Sequence, residues 1–204
     1  MKKNTYPGKF IVFEGLDGAG SSTQIDKLAA SLKKEGRNPV VTKEPTNNII
    51  GGLIRGQLTK DWNSSMECLQ LLFAADRAHH LDRLIIPALK DKKIVLCDRY
   101  FFSTAAFGSL DLDRNWLLEI NDQFILPDLI ILLKVSPREC LKRMHENRFQ
   151  LELFEEEKKL QKVWKTYMWL AKKFPHVRLI DGEKEVEKVA SEIFLTFNQK
   201  YGTI

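Results

Sequence analysis

The chain has 204 residues, 44% of them hydrophobic and 29% charged, as expected for one globular domain with a substantial core. Its formal charge of +5 is modest and spread along the sequence, and no basic cluster is interleaved with aromatics, so nucleic acid is not an expected partner. Its three cysteines and four histidines lack metal-ligand spacing, no apolar leader opens the chain, and no apolar run approaches the roughly 20 residues of a membrane span; a cytoplasmic protein with reduced thiols is expected.

Short apolar runs alternate with longer amphipathic segments. Residues 10–14 read as a strand, 22–35 as a helix and 39–43 as a second strand. The next crossover helix falls within 64–89, with Pro87 near its end. Residues 94–97 form a buried strand ending at Asp98, and 129–135 form another, entered through Pro127 and Asp128. Pro137 suits the first turn of a helix over 137–143, because its missing N–H would have no helical partner there. Glu155 stands four residues before Lys159 in a mixed charge run over 155–162, which reads as an exposed helix face. Leu160, Val163, Trp164, Tyr167, Met168, Ala171 and Phe174 then recur at helical spacing. Residues 177–180 are the last strand and 186–197 the last helix. No repeat or long linker interrupts the pattern, so a single domain over 1–204 is expected. Strands alternating with helices predict an α/β fold with an open parallel sheet flanked by helices on both faces. Ligands of such sheets bind beyond the C-terminal ends of the strands.

The segment Gly15, Leu16, Asp17, Gly18, Ala19, Gly20, Ser21, Ser22, Thr23 follows the first strand and opens a helix. Glycines there let consecutive N–H groups face inward, and with the positive helix end they hold phosphate. The frame matches G-x-x-x-x-G-K-[ST] except that Ser21 replaces the lysine, while Ser22 takes the Mg²⁺-ligand position. Asp98 at the end of the third strand can hold hydrated Mg²⁺, and Arg99 beside it can clamp phosphate bidentately.

Together these segments resemble the thymidylate kinase family over nearly the whole chain. The resemblance runs through Phe13-Glu14-Gly15-Leu16-Asp17-Gly18, Lys43-Glu44-Pro45, Ile54-Arg55, Leu72-Phe73-Ala74-Ala75-Asp76-Arg77 and Asp98-Arg99-Tyr100. It implies a P-loop kinase fold with a five-stranded parallel sheet and a short lid over about 142–152. It further implies that ATP and dTMP are the substrates, that Mg²⁺ accompanies ATP, and that the protein is a homodimer. Residue by residue, it assigns the acceptor phosphate to Arg55 and Arg99, the thymine to Phe73 and Arg77, and the sugar region to Asp17. Ser103, Thr104 and Phe107 would flank base and sugar, and Arg143 and Arg148 would close over ATP from the lid. Asp181-Gly182 resembles the segment beside adenine. The chain departs from the family at Lys43, usually arginine, at Phe107, often tyrosine, at Gly108, often glutamine, and at Gln150, commonly glutamate. Ala19 is small, as in members whose catalytic arginines come from the lid.

The absent lysine leaves three alternatives at this level. A cation from outside the loop, Lys142 and Arg143 among the candidates, takes its place; Ser21 and an altered phosphate or metal geometry suffice at reduced rate; or the chain binds nucleotides without transferring phosphate. One preorganised contact of this kind is typically worth about 10²–10³ in rate. A kinase for another deoxynucleotide or a deoxynucleoside is the nearest enzymatic alternative.

Overall fold

The computed structural model describes residues 1–147 and 157–202. Seven strands are present among them: β1 (Lys2–Lys3), β2 (Lys9–Glu14), β3 (Val40–Lys43), β4 (Ile94–Asp98), β5 (Ile125–Leu126), β6 (Leu129–Lys134) and β7 (Val177–Asp181). Five of them make one parallel sheet in the order β3-β4-β2-β6-β7. The central strands β2, β4 and β6 are almost continuously apolar and buried, as strands covered by helices on both faces must be. The edge strands β3 and β7 carry polar residues and are only partly buried. The short parallel pair β1–β5 stands apart from this sheet; two residues per strand are too few to leave a periodic signal.

The helices are α1 (Ser21–Lys34), α2 (Ile49–Leu58), α3 (Met66–His80), α4 (Ile86–Lys90), α5 (Phe101–Gly108), α6 (Arg114–Glu119), α7 (Pro137–Asn147), α8 (Glu157–Lys173) and α9 (Val186–Tyr201). α1 packs on α9, α2 on α3, and α5 on α8. The segment expected as one helix over 64–89 is divided. Ser65 caps α3 by accepting from the Cys68 N–H at 3.2 Å, and a π-helical turn over Leu81–Ile85 then separates α3 from α4. Pro87 has no N–H to offer the carbonyl four residues back, and the backbone widens just ahead of it. Helix α5 leaves no periodic signal in the sequence. Nearly all of its residues are buried, so no polar stripe marks its period.

The chain enters the sheet at its centre, crosses to β3 at one edge, returns to β4 and then passes to β6 on the far side of β2. Strands β2 and β4 are therefore neighbours from which the chain departs in opposite directions, a topological switch point. Phe13 and Asp98 are register partners there, and the loops that follow the two strands share the crevice in which such folds bind ligands.

Candidate active site

The loop after β2 is shaped by its glycines. Gly18 and Gly20 have φ of 80° and 92°, in the left-handed region that L side chains seldom enter. A Cβ on Gly18 would also come within 2.7 Å of the Cys140 carbonyl oxygen, so α7 lies directly against the loop. Gly20 caps α1 without a side-chain acceptor, which leaves the first N–H groups of the helix for a ligand. Ser21 and Ser22, the first two residues of α1, both donate to Asp98 at the end of β4, at 2.8 and 2.6 Å. The serine at the lysine position thus carries no charge and is turned onto the same carboxylate as its neighbour.

Arg99 follows immediately. Its backbone has a positive φ of 70° and its N–H donates to the Phe13 carbonyl at 2.9 Å, which turns the side chain back over the phosphate loop. The guanidinium donates to Asp17 at 2.6 Å, to the Gly15 carbonyl at 3.2 Å and to Ser103 Oγ at 3.0 Å, and lies 5.5 Å from the centre of the Phe107 ring. These bonds use three of the five guanidinium N–H donors and fix its plane.

Underneath lies Glu14, whose part in the site the sequence does not signal. It is buried at the end of β2 and accepts from the Tyr100 and Ser103 N–H groups, from Ser103 Oγ at 2.6 Å and from the Tyr167 hydroxyl at 3.2 Å. Burial pushes its pKa up to about 7 in spite of these bonds and of the Arg99 charge. Tyr167, read from the sequence as one position in an apolar stripe, is thereby tied to the site by its hydroxyl.

Helices α2 and α3 furnish the opposite wall. Phe73 lies outside the hydrophobic core and lines the cleft, and Arg77, one turn on, lines it too. Arg77 is 1% exposed. It pairs with Glu44 through Nε at 2.9 Å and Nη2 at 2.8 Å, donates to Thr104 Oγ1 at 3.1 Å and to Asn121, and lies over the Tyr100 ring. Asp76 is equally buried and receives both the N–H and the hydroxyl of Thr46. The Thr46 carbonyl in turn accepts from Arg55 Nη1. Asp76 therefore positions Arg55 through the turn that follows β3, a role that becomes visible only when α2, α3 and β3 are assembled.

The third wall comes from the C-terminal half. Arg143 on α7 donates to Glu139 at 2.9 Å and to the Gly182 carbonyl at 3.2 Å. Gly182, Lys184 and the start of α9 complete that side. One cleft of about 750 Å³ joins all three walls. The phosphate loop from Leu16 to Thr23, with Asp98 and Arg99, lies on one side of it. Arg55, Phe73 and Arg77 line it as well, and Ser103, Thr104 and Phe107 join the two groups, Ser103 and Phe107 at Arg99 and Thr104 at Arg77. Arg148 lies outside the described residues, as do Phe149, Gln150, Glu155 and the rest of the expected lid beyond Asn147.

A family model described as thymidylate kinase matches residues 13–193. The chain belongs to the thymidylate kinase family. It is 40% identical over 193 residues to the "probable thymidylate kinase" of Thermococcus onnurineus, covering 90% of this chain and 94% of that one. Over 196 residues it is 40% identical to the thymidylate kinase of Desulfotalea psychrophila, covering 95% and 96%. A "probable thymidylate kinase" of Pyrococcus horikoshii is 40% identical over 193 residues, covering 91% and 94%. The five-stranded parallel sheet flanked by helices is that of a P-loop kinase, and the family's members are ATP-dependent phosphotransferases.

The family's use of ATP calls for a hard divalent cation, and the local donors suit one. Ser22 and Asp98 offer a hydroxyl and a carboxylate oxygen side by side at the start of the helix that would receive the phosphates. Among the described residues no group of three or more His, Cys, Asp and Glu is arranged to hold a metal by itself, so most ligands would be phosphate oxygens and water. None of the helices among those residues is long and apolar enough to cross a membrane.

Proposed function

We propose that this chain transfers the γ-phosphate of ATP to dTMP, yielding dTDP for dTTP synthesis. The observation that carries the reading is the meeting, in one cleft, of a phosphate loop and an acidic strand end on one side with an aromatic–arginine pair on the other, bridged by Arg99. ATP would lie on residues 15–23 with adenine toward Gly182. The phosphate of dTMP would lie between Arg55 and Arg99, with its base on Phe73 beside Arg77. Ser103, Thr104 and Phe107 border base and sugar, and Asp17 holds the Arg99 fork and meets the acceptor. Mg²⁺, held by Ser22 and Asp98, would offset charge on the β- and γ-oxygens.

The acceptor phosphate has a second pKa near ~6 and is largely dianionic at pH 7. It attacks without a general base, so the protein's contribution is alignment and charge neutralisation. Arg99, Arg143 and Arg148 supply that neutralisation, the last from a lid over about 142–152 that excludes water on closure. The whole of 1–204 acts as one kinase domain in this reading. Three free cysteines agree with a cytoplasmic setting. A homodimer is proposed through α2 and α3, whose Ile49, Leu53 and Leu71 are 85%, 45% and 51% exposed.

The test is ADP formation by the purified protein with Mg-ATP and each of dTMP, dUMP, dCMP, dGMP and dAMP. Turnover with dTMP above the others is expected. Preference for a different acceptor would keep the mechanism and replace the substrate, and ATP binding without ADP release in any mixture would retire the kinase reading.

A further inference from the structure

The family's phosphate loop normally brings a lysine to the β- and γ-phosphates, and here that position is an uncharged serine bonded to Asp98. Among the described residues six cations line the cleft: Lys43, Arg55, Arg77, Arg99, Arg143 and Lys184. Five already have protein partners. Arg77 is paired with Glu44, Arg99 with Asp17, Arg143 with Glu139 and Lys184 with Glu192, and Arg55 is bonded to the Thr46 carbonyl. The side chain of Lys43 is exposed, and its ammonium has no hydrogen bond or ion pair with any described residue.

The sheet directs Lys43 to the right place. It is the last residue of β3 and the register partner of Asp98 in the parallel β3–β4 pair. Register partners on neighbouring strands lie ~4.8 Å apart and send their side chains to the same face. The Asp98 carboxylate receives Ser21 and Ser22 at the start of α1, so Lys43 leaves the sheet on the α1 side. Thr42, one residue earlier, turns the other way and bonds His80 of α3 at 2.7 Å. Lys43, Ser22 and Asp98 also line a second cavity of about 600 Å³ and are shared between it and the main cleft. Its flexible four-carbon stem can carry the charge over phosphates held at the helix start.

From this geometry we infer that Lys43 supplies, from the end of β3, the charge that the phosphate loop lacks, by contacting the β- and γ-phosphates of ATP. The inference rests on the kinase reading above. In the step it serves, the bond from the γ-phosphorus to the ADP oxygen breaks as the bond to an oxygen of the acceptor phosphate forms. Lys43 keeps its proton throughout and offsets the charge that builds on the bridging oxygen and on the phosphoryl group in flight.

The experiment compares steady-state kinetics of the full-length enzyme with K43M, K43R, S21K and the double variant S21K/K43M, with Mg-ATP and dTMP. K43M is expected to lose about 10²–10³ in kcat, with the KM for dTMP little changed and the unfolding midpoint preserved. K43R should retain part of the rate. Adding S21K to K43M should restore most of the lost turnover, because it returns the charge to the loop. A K43M enzyme that keeps its kcat, or that loses dTMP affinity in place of turnover, overturns the inference, as does failure of S21K to raise the rate of K43M. Absence of turnover in the unmodified enzyme with every acceptor would instead remove the kinase reading, and Lys43's role with it.

Discussion

Glu14 joins the chemistry of the cleft to the stability of the fold. It lies beneath Arg99 and is bonded to the Ser103 and Tyr100 N–H groups, so it holds the strand-to-helix turn that carries the Arg99 guanidinium. Its carboxyl has an ordinary pKa of 4.5 and a folded value of about 7, with burial as the dominant cause. Between these values the native state binds a proton that the unfolded chain has released. The contribution of Glu14 to stability is therefore complete below about pH 4.5 and is lost as the pH rises through about 7, in total about 3 kcal/mol. Glu14→Gln presents an N–H where the protonated acid presents an O–H and has nothing to titrate. Urea unfolding of the variant at several pH values should show a flatter dependence between about pH 5 and 8, with higher stability than the parent at the alkaline end. An unchanged slope would mean that the carboxylate is ionised in place, stabilised by Arg99 more strongly than burial opposes it.

At the scale of elements, the phosphate loop and α7 form one unit. The left-handed Gly18 brings its Cα so near the Cys140 carbonyl that no side chain fits between them. Gly18→Ala meets both obstacles, a strained φ and a 2.7 Å approach to a backbone oxygen. It should destabilise the protein by about 1–3 kcal/mol, measured by chemical unfolding, and should weaken ATP binding in titration calorimetry. Loss of stability with undiminished ATP affinity would show that α7 yields while the loop keeps its shape. The elements opposite are coupled in a similar way. Asp76 on α3 holds Thr46, Thr46 holds Arg55 on α2, and Glu44 pairs with Arg77. Arg55 and Arg77 are thus set by the turn after β3 as much as by their own helices.

For the whole molecule, the proposed homodimer accounts for apolar side chains that a monomer would leave in water. Ile49 and Leu53 lie one turn apart on α2, and Leu71 lies on α3, which packs against it. Burial of such side chains is worth about 1.5–3 kcal/mol each, and a charge in their midst would oppose association. Sedimentation equilibrium should find the parent protein dimeric and Leu71→Asp shifted toward monomer. A parent that sediments as a monomer would place these residues among ordinary exposed apolar groups.

The sequence by itself determined the alternation of strands and helices, the parallel sheet, the phosphate loop and the strand ends at Asp98 and Asp181, because each is local. A run of apolar residues, a helical period or a glycine-rich turn after a strand is legible wherever it occurs. The position of Phe73 and Arg77 on one helix face was legible for the same reason, through their spacing. Their meeting with the cleft, the buried Glu44–Arg77 pair, the Asp76–Thr46–Arg55 relay and the Glu14–Tyr167 contact were decided only by the tertiary structure. Each joins residues between 9 and 153 positions apart, and no period or motif records which strand lies beside which. The same holds for Lys43: in sequence it is a lysine before Glu44 and Pro45, and only the β3–β4 register sets it beside Asp98 and the phosphate loop that lacks a cation of its own.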